Sequence, residues 1–172
     1  MRDGVRVEVG RARNGMGLFA TESVKAGDTV IRVEGRIVHH TVLWRQRGSA
    51  FSANCIRFGP ESYLDPGDHA CRYLNHSCSP NAGIRKVNQR LYLFAVQRIG
   101  AGSEIVIDYS TTIGDDDIWT MRCRCGSTRC RGMIGNFSSL PTDVKHRYLT
   151  KGLVPGYIVR TLSQPSSGAP RP

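Results

Sequence analysis

The sequence has no apolar run approaching the ~20 residues that a membrane-spanning helix needs. Its first six residues, MRDGVR, also lack the apolar core of a secretory signal. These absences predict a protein outside the membrane and the secretory route, and therefore an intracellular one: cytoplasmic, nuclear or delivered into a host cell. In that setting a disulfide framework is disfavoured, and a metal site better explains any cysteine cluster.

Helical periodicity is also scarce. Short apolar or β-branched runs, such as 29–33 and 91–96, are separated by Gly, Pro and Asp, which predicts one mostly β domain. Helical signals come late: Ser139 suits an N-cap, Pro141 a first turn and Gly152 a stop. They predict a short helix near 141–151, followed by the apolar segment 157–159.

Lysine is rare. The net charge of +10 comes from 20 Arg and only 4 Lys against 14 acidic residues. The positive charge is spread, with no basic tail, and would favour weak association with nucleic acid. A surface rich in arginine without any such partner is the alternative. The three aspartates at 115–117 could be simply solvated or could form a docking surface for a basic peptide.

The densest polar stretch is RYLNHSCSPN, residues 72–81. It could be a surface turn, since Ser-Pro-Asn is ordinary turn chemistry. It could equally be a functional site, because groups that donate, accept or bind metal are rarely packed this closely without a role.

Three thiols lie within eight residues at Cys123, Cys125 and Cys130. Tight spacing around a glycine allows them to converge on zinc; reduced thiols or a disulfide are the alternatives. A closed structural site needs a fourth ligand, and Cys78 is the candidate because it too lies in a polar segment. Cys55 and Cys71, being isolated, are expected to be small buried hydrophobes.

Two other patterns are weaker. Gly15-Met16-Gly17 could approach a ligand closely or form a plain turn, but it is not a dinucleotide-binding fingerprint, since the third glycine is missing. The pair His39-His40 ends a predicted strand over 35–42. Neighbours on a strand point to opposite faces, so solvated surface is a better explanation than metal.

Together these motifs resemble the SET-domain protein lysine methyltransferases that carry a post-SET zinc segment. The resemblance rests on GMGLFA (15–20), RYLNHSCSPN (72–81), EIVIDY (104–109) and the CxCx4C array (123–130), in that order. It implies a mostly β fold of several small sheets, with a pseudoknot in which the Asn-His and Asp-Tyr segments lie side by side. The predicted parts are a SET domain (1–115), a post-SET segment (116–135), a helical extension (136–162) and a disordered tail (163–172).

The resemblance also implies S-adenosylmethionine as cofactor and a structural zinc ion. Gly15 would join the cofactor site, whose predicted residues are Met16, Gly17, Arg72, Tyr73, Asn75, His76, Tyr109, Trp119 and Cys125. The zinc ligands would be Cys78, Cys123, Cys125 and Cys130. Tyr109 would be the catalytic phenol, and Tyr63 would line the lysine channel, unless it is a core tyrosine with a satisfied hydroxyl.

The implied reaction is transfer of a methyl group to an exposed lysine of a protein, with a histone or histone-like tail as the leading substrate. A non-histone protein substrate and a catalytically silent module that binds chromatin or nucleic acid are the alternatives. Two features depart from the family. The pre-SET cysteine array does not occur in the sequence, and Ile107 stands where Phe or Tyr is usual, which favours multiple methylation. Oligomeric state and target are not predicted.

Overall fold

The computed structural model describes residues 7–46, 54–117 and 119–162. As predicted, the described chain is mostly β. Its strands are β1 (Val7–Ala12), β2 (Gly15–Ala20), β3 (Thr29–Val33), β4 (Arg36–His39), β5 (Ile56–Gly59), β6 (Ser62–Asp65), β7 (Asn75–His76), β8 (Ala82–Val87), β9 (Arg90–Ala95), β10 (Glu104–Ile107), β11 (Met121–Arg122) and β12 (Met133–Ile134). Its α-helices are α1 (His40–Arg45), α2 (Thr142–Thr150) and α3 (Gly156–Leu162), and short 3-10 helices span Ala70–Tyr73, Tyr109–Thr111 and Phe137–Ser139. None of these helices is long and apolar enough to cross a membrane.

The strands form four small sheets, in the orders β1-β2-β10-β7, β3-β9-β8, β4-β6-β5 and β11-β12. Pairing is antiparallel except between β7 and β10, where Asn75 lies beside Val106 and His76 beside Ile107. This parallel contact confirms that the Asn-His and Asp-Tyr segments are neighbours. It brings together two motifs that are almost thirty residues apart in the chain.

The main core lies where the inner faces of these sheets meet. Leu18 of β2, Leu93 of β9 and Ile105 of β10 have no exposed surface. Full burial of such a side chain stabilises the fold by about 1.5–3 kcal/mol. Packing against this core fixes β2 and β10. Their ends and the adjoining loops carry the residues of the candidate site.

The C-terminal extension has a core of its own, in which Phe137 and Leu140 pack against Tyr148, Leu153 and Ile158. The predicted helix exists as α2, but its predicted cap is wrong. Ser139 ends the 3-10 helix Phe137–Ser139, and Pro141 occupies the N-cap of α2 without a side-chain hydrogen bond. The reason is that Asn136 already caps this segment by accepting from the Ser139 amide.

The region after residue 35 also differs from prediction. The strand ends at His39, whose Nδ1 accepts from the Thr41 amide and so caps α1. His39 and His40 therefore do not share a strand, although His39 is exposed, as expected of solvated surface. Residues 47–53 and the whole predicted tail 163–172 lie outside the described residues, and the domain boundaries remain predictions.

Candidate active site

Three predicted cofactor residues meet where β2 approaches β7. The Asn75 amide donates from Nδ2 to the Met16 carbonyl at 2.9 Å and to Glu104 Oε1 at 2.8 Å. A Cβ on Gly17 would lie 2.6 Å from that Glu104 oxygen and 2.7 Å from Ala12 Cβ. Only glycine fits there. Gly15 is needed for a different reason: its φ of +91° closes the turn between β1 and β2.

Glu104 was not predicted from the sequence as a site residue. Its carboxylate holds the Asn75 amide, and its carbonyl accepts from Asn81 Nδ2 at 2.7 Å. The sequence did contain an indication of this role, because Glu104 begins the motif that ends in Tyr109. Its partner, however, is 29 residues away, and only the β10–β7 contact reveals it.

Tyr109 lies at the start of the 3-10 helix that follows β10. Its hydroxyl donates to the Leu74 carbonyl at 2.7 Å, so the phenol oxygen keeps its lone pairs for another donor. Burial, with help from the charge of Glu104, raises the pKa of Tyr109 to about 12. The site therefore holds a neutral phenol at physiological pH.

Two rings flank this phenol: the His76 and Trp119 ring centroids lie 5.3 Å and 6.1 Å from that of Tyr109. Trp119 also packs against the cluster that contains Cys78 and Cys123. The structure thus brings Asn75, His76, Tyr109 and Trp119 around one region from three separate parts of the sequence.

The predicted metal residues converge nearby. The Sγ atoms of Cys78, Cys123 and Cys125 and a ring nitrogen of His76 all lie within 4.8 Å of one another. Cys130 lies outside that group, and its Sγ lies 3.9 Å from the Cys123 carbonyl oxygen. Burial raises the pKa of the Cys125 thiol, but hydrogen bonds from the Cys78 and Ser127 backbones bring it down to about 7. These residues could hold a metal that prefers sulfur.

His76 was predicted as a cofactor residue and was not predicted as a ligand. Its Nδ1 accepts from the Tyr109 amide at 3.2 Å, while its Nε2 lies 3.3 Å from Cys78 Sγ. An Nδ1 that accepts requires the proton to be on Nε2. In this tautomer His76 donates to the Cys78 sulfur and has no lone pair at Nε2 for a metal.

The other two cysteines lie away from this cluster. Cys71 is buried in the main core, as predicted, whereas Cys55 is only half-buried. Burial raises the pKa of both thiols to about 12. Neither thiol is prepared for metal binding.

A second polar cluster, missed by the sequence analysis, is called here the arginine clamp: Arg57, Tyr63, Asp116 and Asp117. The buried Arg57 guanidinium bonds Asp116 at 2.6 and 2.7 Å and Asp117 at 2.7 Å. The Tyr63 hydroxyl donates to Asp117. Burial opposes the charge on Arg57, yet these carboxylates raise its pKa.

The clamp shows that the run 115–117 is not simply solvated, and its role as a docking surface remains a prediction. Asp116 and Asp117 are occupied by Arg57, and Asp115 accepts from Ser138 Oγ at 2.7 Å. It also shows that the Tyr63 hydroxyl is satisfied internally, so any contribution of this residue to a lysine channel comes from its ring. An arginine inside an apolar strand was the signal that a carboxylate partner existed.

Arg72 and Tyr73 are the predicted cofactor residues with the fewest contacts to the others. The Arg72 guanidinium pairs with Asp68 at 3.2 Å and stacks over the Tyr73 ring, 5.4 Å from its centroid. Both lie on the 3-10 helix Ala70–Tyr73 that leads into β7. Their predicted roles in binding remain predictions.

The SET domain family model matches residues 15–110, which include every strand from β2 to β10 and the Tyr109 phenol. The chain belongs to this family.

The curated relatives are histone-lysine N-methyltransferases. Identity is 34% over 134 residues with histone-lysine N-methyltransferase 2B of Homo sapiens, covering 72% of this chain and 5% of that protein. It is 35% over 129 residues with the H3 lysine-4 specific enzyme of Mycosarcoma maydis, covering 69% and 9%. With trithorax of Drosophila virilis it is 30% over 128 residues, covering 69% and 3%. The chain thus spans only a small fraction of the length of these relatives.

Proposed function

We propose that this chain is a protein-lysine N-methyltransferase that uses S-adenosylmethionine. The observation that carries the proposal is the partly buried Tyr109 phenol, flanked by His76 and Trp119, in a chain of the SET family. Relatives named as histone-lysine methyltransferases support a histone or histone-like protein as the substrate. Such a substrate would also be consistent with an intracellular, chromatin-associated location.

The residues present fit the cofactor. Met16 is exposed, and because Gly17 has no side chain, the strand on which both lie comes close to Asn75 and Glu104. A carboxylate beside backbone polar groups suits the ammonium group of the cofactor. When bound, the cofactor supplies an electrophilic methyl group on a sulfonium. Asn75, His76 and the backbone of residues 15–17 would hold it, and Trp119 would cover it.

Tyr109 would position the lysine amine. Because its own proton is held by the Leu74 carbonyl, its oxygen can accept a hydrogen bond from the incoming amine and align the nitrogen lone pair for in-line attack. The surrounding rings would exclude water and favour the neutral amine. Ile107 is buried beside this phenol and, being smaller than the usual aromatic residue, would leave room for an alkylated amine and hence for multiple methylation.

A Tyr109→Phe variant tests the proposal. Loss of the aligning oxygen should lower kcat about 100-fold or more on an accepted histone substrate, measured by transfer of labelled methyl groups. Tyr92→Phe on β9 is the matched control and should keep wild-type activity. Full activity of Tyr109→Phe would refute the role of this phenol.

Calorimetric titration with S-adenosylmethionine separates an enzyme from a silent module. Binding is expected, and a folded, metal-loaded chain that does not bind would favour a module that only recognises chromatin or nucleic acid. Labelled cofactor in whole-cell lysate would identify a non-histone substrate.

We also propose that Cys78, Cys123, Cys125 and Cys130 bind one structural zinc ion. Four thiolates give a closed tetrahedral site with no open position for catalysis. About one zinc per chain is expected by elemental analysis, and Cys78→Ser or Cys130→Ser should lose it. His76→Gln and the control Cys55→Ser should retain it; zinc loss in His76→Gln with retention in Cys130→Ser would make the imidazole the fourth ligand.

A further inference from the structure

The C-terminal extension contacts residues on both sides of Tyr109, a side-chain carboxylate before it and a backbone carbonyl after it. The Tyr148 hydroxyl of α2 donates to Asp108, immediately before Tyr109, at 2.9 Å. The Tyr157 hydroxyl of α3 donates to the Thr112 carbonyl, three residues after it, at 3.2 Å. These helices lie outside the segment that matches the family, so the contacts belong to this chain's own extension.

Asp108 is the centre of the first contact. Its side chain has no exposed surface, and its two oxygens accept from Arg131 at 2.7 and 2.8 Å. Oδ1 also accepts from the Ser110 amide at 3.1 Å and so caps the 3-10 helix on which Tyr109 lies. A buried carboxylate with this many partners fixes the backbone around it, because each lost bond would leave a buried acceptor less well satisfied.

Tyr148 supplies the bond that ties Asp108 to α2. Burial and the charge of Asp108 raise the pKa of this phenol, so the hydroxyl remains a donor. Arg131 binds the same carboxylate from the cysteine-rich segment, where its amide also donates to Cys78 Sγ at 3.4 Å. Asp108 is therefore held from two directions, and removing the Tyr148 hydroxyl leaves one of them.

We propose that Tyr148 is a positioning residue for methyl transfer: through Asp108, the C-terminal extension fixes the 3-10 helix that orients the Tyr109 phenol. The proposal rests on the proposed methyltransferase function. It assigns to the extension a role in the alignment of Tyr109, in addition to covering the core.

The test is Tyr148→Phe in the full chain, with Tyr157→Phe as the matched variant. Both lose one tyrosine hydroxyl from the same extension, but only the first reaches Asp108. We expect kcat to fall about tenfold in Tyr148→Phe, equivalent to ~1.4 kcal/mol of barrier, with KM for S-adenosylmethionine and zinc content within twofold of wild type. In Tyr157→Phe, kcat should change less than twofold.

Two results would overturn the proposal. Wild-type kcat in folded Tyr148→Phe would show that the bond does not orient Tyr109. Equal losses of kcat in both variants, each in proportion to the loss of folded protein, would show only that the extension is generally destabilised.

Amide hydrogen exchange distinguishes this failure from a failure of the proposed function. Exchange at Ser110 and Thr111 should accelerate in Tyr148→Phe and stay unchanged in Tyr157→Phe. If that pattern appears while the wild-type protein transfers no methyl groups, the contact through Asp108 stands and the methyltransferase assignment fails. Unchanged exchange in both variants contradicts the contact itself.

Discussion

The cysteine cluster and the arginine clamp are two polar regions that are stabilised differently. In the clamp, the Arg57 charge is matched by Asp116 and Asp117, with Tyr63 and two backbone carbonyls completing the bonds. In the cysteine cluster, thiols face one another, with Cys78 Sγ 3.7 Å from Cys123 Sγ. Protein groups alone complete the clamp, whereas the cluster has the chemistry of a site that is completed by a metal.

Metal removal should therefore give the largest difference between the two regions. Structural zinc contributes on the order of 10 kcal/mol in small metal-dependent folds, so a chelator should abolish methyl transfer and expose residues 121–134 to hydrogen exchange. The arginine clamp should stay protected in the same experiment. If a metal-free chain keeps both its activity and its protection from exchange in the cysteine segment, the cluster is stable without metal. The two regions then do not differ in their need for a metal.

Arg57→Met should give the next largest effect, because it retains the apolar stem but leaves Asp117 as an uncompensated, mostly buried charge. We expect a loss of about 3 kcal/mol in the free energy of unfolding, measured with urea. Arg36→Met is the matched control: the exposed Arg36–Asp65 pair is 3.5 Å long and should contribute less than about 1 kcal/mol.

A second substitution sharpens that measurement. Adding Asp117→Asn to Arg57→Met should recover part of the loss, since the unpaired charge is removed. Equal stabilities of Arg57→Met and Arg36→Met would show that the clamp is no stronger than a surface ion pair.

The smallest predicted effect concerns pH and the approach to β7. His69 Nδ1 accepts from the Cys71 amide at 3.3 Å, and burial lowers the pKa of His69 against a small opposing effect of Glu34. Below the unfolded value of 6.5 the unfolded chain binds the proton more readily, so stability should fall as pH decreases from 6.5 and be unaffected above it. Partial exposure should keep the loss below about 1 kcal/mol.

His69→Asn keeps a capping acceptor that does not titrate. Urea unfolding at pH 5.5 and 7.5 should therefore differ less in this variant than in wild type. An unchanged difference would assign the pH dependence to other groups.

Local patterns predicted the mostly β fold correctly and singled out residues that the structure brings together. Strand composition identified the segments that became β3 and β9, and the spacing of thiols identified Cys123 and Cys125 of the cluster that could hold a metal. These predictions succeeded because strand propensity and ligand spacing are encoded in neighbouring residues. The cap of α2 was missed because Ser139 had a closer partner in Asn136.

The sequence by itself determined which chemical groups are present: an apolar strand that leads to Tyr109, an Asn-His pair, four candidate thiols and an excess of arginine. The tertiary structure alone decided how these groups pair. It joined Arg57 to Asp116 and Asp117, almost sixty residues away, and Tyr148 to Asp108, forty residues away. A buried charge requires a partner, but which partner it finds depends on where the whole chain brings the two side chains together.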